Sequence, residues 1–126
     1  MKHSPGFLAV VEDAKSRVEE MTVAEYAELA AAGEPHLLVD VREESEWGTG
    51  HATGAVHLGK GIIERDIEGR VPDHETLLVL YCGGGFRSAL AGDTIQRMGY
   101  RNVRSLAGGW KAWQAAAMPV SKPGAE

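Results

Sequence analysis

The chain has 126 residues, 44% of them hydrophobic, 25% charged and 6% aromatic, which suits one globular domain and excludes a disordered or fibrous chain. A formal net charge of −5 argues against nucleic acid or an anionic membrane as partner, and no apolar run approaches the roughly 18 residues of a membrane helix. One cysteine, Cys82, excludes an internal disulfide framework, a CxxC pair and a thiolate zinc site within one chain.

The N-terminus has a short apolar run that turns acidic at Glu12 and Asp13, a poor secretory signal, so a cytoplasmic chain with a reduced thiol is expected. Phe7, Val10, Val11, Ala14 and Val18 form one apolar helical stripe, which predicts a lid-like helix over 5–17 with Pro5 in its first turn. A short strand over 18–21 follows. Thr22 and Glu25 have capping-box spacing for a helix with Val23, Tyr26, Ala27 and Ala30 inward and a stop at Gly33.

Leu37 to Val41 is too short for a helix and rich in strand formers, and reads as a buried parallel strand. A short helix from Glu43 to Trp47 ends at Gly48, a weaker strand spans 55–58 and a short helix 61–67. Leu77 to Tyr81 is the strongest strand. A helix over 87–98, a strand within 100–106 and a helix over 109–117 closed by Pro119 complete the chain. The alternation predicts an α/β fold with an open, mainly parallel sheet covered on both faces. Residues 1–17 are expected as an N-terminal helical extension, 18–120 as the domain proper and 121–126 as a loose tail.

Ligands of such sheets bind beyond the carboxyl ends of the strands. There the strongest strand runs into Cys82, then Gly83, Gly84, Gly85, Phe86, Arg87 and Ser88. Three glycines let a tight loop turn its N–H groups toward one point, and the next helix adds its positive end and the cation Arg87. Without an anion this is costly, because a glycine triplet packs nothing and an arginine is unfavourable at a helix start. The loop therefore reads as an anion cradle holding a cysteine in a field that favours its thiolate.

This loop, Tyr81-Cys-Gly-Gly-Gly-Phe-Arg-Ser88, resembles the active-site loop of the rhodanese family of sulfurtransferases, C-x-x-G-x-R-S, at Cys82, Gly85, Arg87 and Ser88. Asp40-Val-Arg42, Glu46 to His51 and Gly54-Ala55 are similar to the family's upstream signature, and Gly108-Gly109 to Trp113 to its downstream one. A proline often found after the G-A strand is here Gly59. The resemblance covers about residues 18–119. It implies a three-layer fold with a central, mainly parallel five-stranded sheet, and a persulfide mechanism.

On that mechanism Cys82 and Arg87 are catalytic, while Gly83, Gly84, Gly85, Phe86 and Ser88 bind substrate. A small anionic donor such as thiosulfate would dock on the loop amides and Arg87, lose its outer sulfur to Cys82, and leave a persulfide held by the N–H groups of 83–87. Cyanide or a thiol would accept that sulfur, with no cofactor and no metal, in a monomer or homodimer. Asp40, Arg42, Glu46 and Trp110 are supporting residues: Arg42 and Glu46, four apart, are expected to pair, Asp40 to bond backbone, and Phe86 and Trp110 to wall the pocket. His51 and His57 read as turn and core histidines, and Glu43, Glu44 and Glu46 as a solvated helix face. Two other classes remain open: a cysteine-dependent phosphatase or arsenate reductase, whose loops hold five residues between cysteine and arginine where this chain has four, and a non-catalytic regulatory module.

Overall fold

The computed structural model describes residues 2–123. In chain order the elements are α1 (Pro5–Lys15), β1 (Glu19–Met21), α2 (Val23–Ala31), β2 (Leu37–Asp40), α3 (Glu44–Thr49), β3 (His51–Ala52), β4 (Val56–His57), α4 (Ile63–Arg70), β5 (Leu78–Tyr81), α5 (Phe86–Arg97), β6 (Val103–Leu106), α6 (Gly109–Ala115) and β7 (Val120–Ser121). Five strands form one sheet in the order β1-β6-β5-β2-β4, and every pairing in it is parallel. The fold is therefore α/β with a central five-stranded parallel sheet flanked by helices, as the alternation predicts.

Period-two alternation along β5 splits the core. Leu78, Leu80 and Cys82 enter one cluster with Ile63 and Ile67 of α4 and Ala91 and Ile95 of α5. Val79 and Tyr81 enter the other, with Val23 and Tyr26 of α2 and Trp113 of α6. With both faces covered, the central strands must be apolar throughout, and all four residues of β5 are buried.

Local signals set several boundaries. Ser4 caps α1, its Oγ accepting the Phe7 N–H at 3.3 Å ahead of Pro5, and Thr22 and Glu25 form both bonds of the capping box that starts α2. α1 buries only Val11 and Ala14 and is tied to α5 by Arg17, whose guanidinium donates twice to Asp93 at 2.8 Å.

Several expectations are corrected. Val10 is 53% exposed, because α1 meets essentially one neighbour and a single helix contact needs a narrower stripe than a full core face. Ala30 of α2 is exposed as well. α3 runs through Gly48 and ends at Gly50, whose φ of +147° suits a residue without Cβ. The tail expected to be loose begins in structure: β7 pairs antiparallel with β3, Ala52 opposite Val120 and His51 opposite Ser121. Two-residue strands carry too few positions to show alternation, and their pairing is between distant segments. The rest of that tail, residues 124–126, lies outside the described residues.

Candidate active site

Cys82 is the first residue after β5, and the parity of that strand aims it at α5. It is 1% exposed, yet its sulfur faces polar groups. Sγ accepts the Gly85 N–H at 3.1 Å and the Ser88 N–H at 3.4 Å, and the thiol donates to Ser88 Oγ at 3.5 Å. Gly85 occupies the N-cap of α5 with φ +100°, a left-handed conformation that glycine adopts without strain. Having no side chain to cap the helix, it leaves the first-turn N–H groups to the sulfur. Ser88 Oγ is also 2.7 Å from Ser105 Oγ of β6, and both serines are fully buried.

A second glycine loop sets the orientation of the first. Trp110 N–H donates to the Cys82 carbonyl at 2.7 Å and Lys111 N–H to that of Gly83 at 3.2 Å. These bonds tie the first two carbonyls of the loop to the start of α6, while the amides of Gly85 and Ser88 bond the sulfur. Gly109 sits so close beneath the loop that a Cβ there would collide with the Cys82 carbonyl oxygen, and its φ is +49°. The amides on Sγ are those of Gly85, within the 83–87 run expected to hold the outer sulfur of a persulfide, and of Ser88, one residue beyond it.

Arg87 is engaged, not free. Its Nη1 and Nη2 donate to the two Glu46 carboxylate oxygens at 2.7 and 3.1 Å. Hydrogen bonding from Arg87 holds the Glu46 carboxyl down to about 2, and the Glu43 N–H adds to this. The same bond raises the Arg87 pKa, and the nearby Cys82 sulfur contributes. Gly83 makes room: a Cβ there would lie 3.2 Å from Arg87 Nη2.

The expected Arg42–Glu46 pair does not form, and Glu46 is no solvated carboxylate. Arg42 lies outside α3, and the strand period places it on the same side as Asp40, two residues back. Asp40 and Arg42 are 0% and 3% exposed. Asp40 accepts from the Arg42 guanidinium at 2.8–3.1 Å, the Arg42 backbone N–H at 2.8 Å and the Tyr81 hydroxyl at 2.7 Å. Burial works against the Arg42 charge, but Asp40 outweighs it and raises the pKa. Burial, reinforced by Asp40, also raises that of Tyr81. Trp110 does not wall the pocket; it lies 4.6 Å over the Arg42 guanidinium. His51 stacks on Trp47 at 3.5 Å, and His57 Nε2 is 2.8 Å from the Arg42 carbonyl oxygen.

A cavity of about 500 Å³ opens over the loop, lined by Cys82, Gly83, Gly84, Phe86, Arg87 and Glu46. His3 and Phe7 of the N-terminal segment and Lys111 of α6 line it too. None of these three is legible as a site residue, since the docking of α1 is non-local and Lys111 has no motif of its own. Ser105 is more accessible to reasoning, because it shares the parity of Val103 and so faces α5 and the sulfur. A larger cleft of about 810 Å³, bounded by Pro35, His36, Val71 and Asn102, lies at the amino ends of the strands. It is remote from Cys82 and from the end at which such sheets bind ligands.

Comparison with known proteins agrees with this geometry. The model for the Rhodanese-like domain matches residues 22–116. A thiosulfate sulfurtransferase, GlpE, of Pseudomonas entomophila (strain L48) is 34% identical over 87 residues, which are 69% of this chain and 78% of that protein. Among solved structures, a protein of unknown function from Rhodopseudomonas palustris CGA009, described as a possible tyrosine phosphatase, superposes with a TM-score of 0.81 at 29% identity, covering 96% of this chain and 98% of that one. The thiosulfate sulfurtransferase of Pseudomonas aeruginosa shares the fold, with a TM-score of 0.82 at 18% identity over 95% of this chain and 23% of that longer chain. The cysteine cradle and the match across most of the sequence lead to one assignment: the chain belongs to the family of rhodanese-like domains.

Proposed function

We propose that the protein is a sulfurtransferase that moves a sulfane sulfur from a donor such as thiosulfate to a thiol, or to cyanide in an assay, through a persulfide on Cys82. The observation that carries this reading is the sulfur itself, which accepts two backbone N–H bonds beneath a cavity bordered by a guanidinium. N–H groups aimed at one sulfur stabilise negative charge on it as an oxyanion hole does on oxygen. GlpE of Pseudomonas entomophila, named a thiosulfate sulfurtransferase, supports the choice of donor.

In the first step the Cys82 thiolate attacks the outer sulfur of thiosulfate. The bond between the two thiosulfate sulfurs breaks, sulfite leaves with the electron pair, and a Cys82 persulfide anion remains. In the second, a thiolate attacks the outer sulfur of that persulfide, becomes a persulfide itself, and releases Cys82 as thiolate. Charge and electrons balance in each step. Gly85, Ser88 and the start of α5 hold the sulfur, while Arg87, anchored by Glu46, borders the donor's path. No metal or organic cofactor is required. A reducing compartment such as the cytoplasm keeps the thiol available.

Mass spectrometry tests the proposal. Thiosulfate should add one sulfur, about 32 Da, to the protein, cyanide should remove it, and Cys82→Ser should show neither change. A protein that gains no mass from any sulfane donor would be a binding module instead. A phosphatase reading draws on the Rhodopseudomonas palustris structure described as a possible tyrosine phosphatase. The loop, with four residues between Cys82 and Arg87, leaves less space for a tetrahedral oxyanion, and turnover of para-nitrophenyl phosphate that depends on Cys82 would favour it.

A further inference from the structure

The cavity over Cys82 is more elaborate than thiosulfate or cyanide requires. One side is a cluster of rings: His3 lies 5.1 Å from Phe7 and 4.8 Å from Phe86, and Phe7 lies 6.2 Å from Phe86. Two of these rings belong to the N-terminal segment, which α1 fixes through Val11, Ala14 and the Arg17–Asp93 pair. The opening continues past the rings into an adjoining volume of about 570 Å³ that shares His3, Gly84, Phe86 and Lys111 and runs along Ala112 and Ala115 of α6.

Charge is distributed unevenly along this groove. Arg87 and Glu46 neutralise each other. Lys111 borders both volumes, and no carboxylate of the described residues lies within 4.0 Å of its Nζ. The groove thus offers, in order from the sulfur, an aromatic ring wall, whose Phe86 ring carries the Glu20-paired Lys15 ammonium 5.0 Å from its centroid, and the uncompensated ammonium of Lys111. A small inorganic acceptor would make no use of the ring wall.

We infer that the sulfur acceptor is a thiol with a flat apolar or aromatic body and a carboxylate, its body against His3, Phe7 and Phe86 and its carboxylate on Lys111. This rests on the sulfurtransferase reading above and makes the N-terminal segment the specificity element of the second half-reaction. The thiolate enters between the ring wall and the loop, attacks the outer sulfur of the Cys82 persulfide, and leaves as the acceptor persulfide, with the Cys82 thiolate as leaving group.

The test is single-turnover discharge of the thiosulfate-loaded full-length protein by three alkyl thiols of similar acidity: 4-(mercaptomethyl)benzoate, benzyl mercaptan and 2-mercaptoethanol. Rates are corrected by the reactivity of each with a small-molecule persulfide. The expected order is the one given, spanning at least about tenfold. Phe7→Ala and the better-packed Phe7→Leu should each lower the ratio of benzyl mercaptan to 2-mercaptoethanol about fivefold. Lys111→Gln, a surface change, should lower the ratio of 4-(mercaptomethyl)benzoate to benzyl mercaptan about threefold. Equal corrected rates, or ratios unmoved in the Phe7 and Lys111 variants, would overturn the acceptor assignment and leave the sulfurtransferase intact. Failure of thiosulfate to load Cys82 at all would overturn both.

Discussion

Two neighbouring strand ends of this molecule carry the same pair of charges and put them to opposite use. β2 and β5 lie side by side in register, with Asp40 opposite Tyr81, and each is followed by an arginine held by a carboxylate. At the end of β2, Arg42 and Asp40 are almost wholly buried and bond to each other, to the Gly50 carbonyl and to the Tyr81 hydroxyl. At the end of β5, Arg87 and Glu46 keep 30% and 36% of their side chains exposed and border the cavity over Cys82. A buried pair resists change because removing one partner strands a charge without water. A half-exposed pair is worth little to stability and can reorganise around an incoming anion. Burial, rather than residue type, separates framework from site.

Substitutions at the two ends should therefore fail in different ways. Arg42→Ala leaves Asp40 buried without its cation and should cost about 3–5 kcal/mol in urea unfolding. If it unfolds normally but loses sulfur transfer, the two ends are not distinct. Arg87→Ala should leave the unfolding curve within about 1 kcal/mol of the wild type, while thiosulfate kcat/KM falls by about 10²-fold, as for other preorganised donors to a developing anion. Unchanged affinity and turnover would remove the cation from the mechanism.

Ser88→Ala removes one contact to Sγ and strands the buried Ser105 hydroxyl, so a turnover loss of about tenfold with a stability loss of about 1–3 kcal/mol is expected. Glu46→Gln should have the smallest effect, and one that depends on pH. Because the Glu46 carboxyl is held down to about 2, its contribution is complete above the ordinary carboxylate range near 4 and fades as pH falls toward 2. Urea titrations should show the variant less stable by up to about 1 kcal/mol at pH 6. That gap should close by pH 2 to 3; a gap that widened on acidification would contradict the pairing with Arg87.

Much of the cradle was legible because it is contiguous. The run from Cys82 to Ser88 spans one strand end, one tight loop and one helix start, each with its own local rule, so the encounter of sulfur and amides follows from neighbouring residues. The expected pairing of Arg42 with Glu46 failed for the complementary reason. Helical spacing applies only inside a helix, and Arg42 lies before α3, where strand parity turns it to Asp40. Trp110 was misplaced likewise, since the glycines ahead of α6 fix where the helix begins but not which side chain its first ring covers.

By itself the amino-acid order determined the strand and helix segments and their alternation, the caps of α1 and α2 and the glycine loop around Cys82, all products of interactions between residues close in the chain. Only the folded chain decided that Glu46 takes Arg87, that Ser105 backs Ser88, that Val120 and Ser121 close a second small sheet, and that His3, Phe7 and Lys111 border the opening over the sulfur. Those contacts join segments between 17 and 83 positions apart, and distant partners are chosen by the packing of whole elements, which no local pattern records.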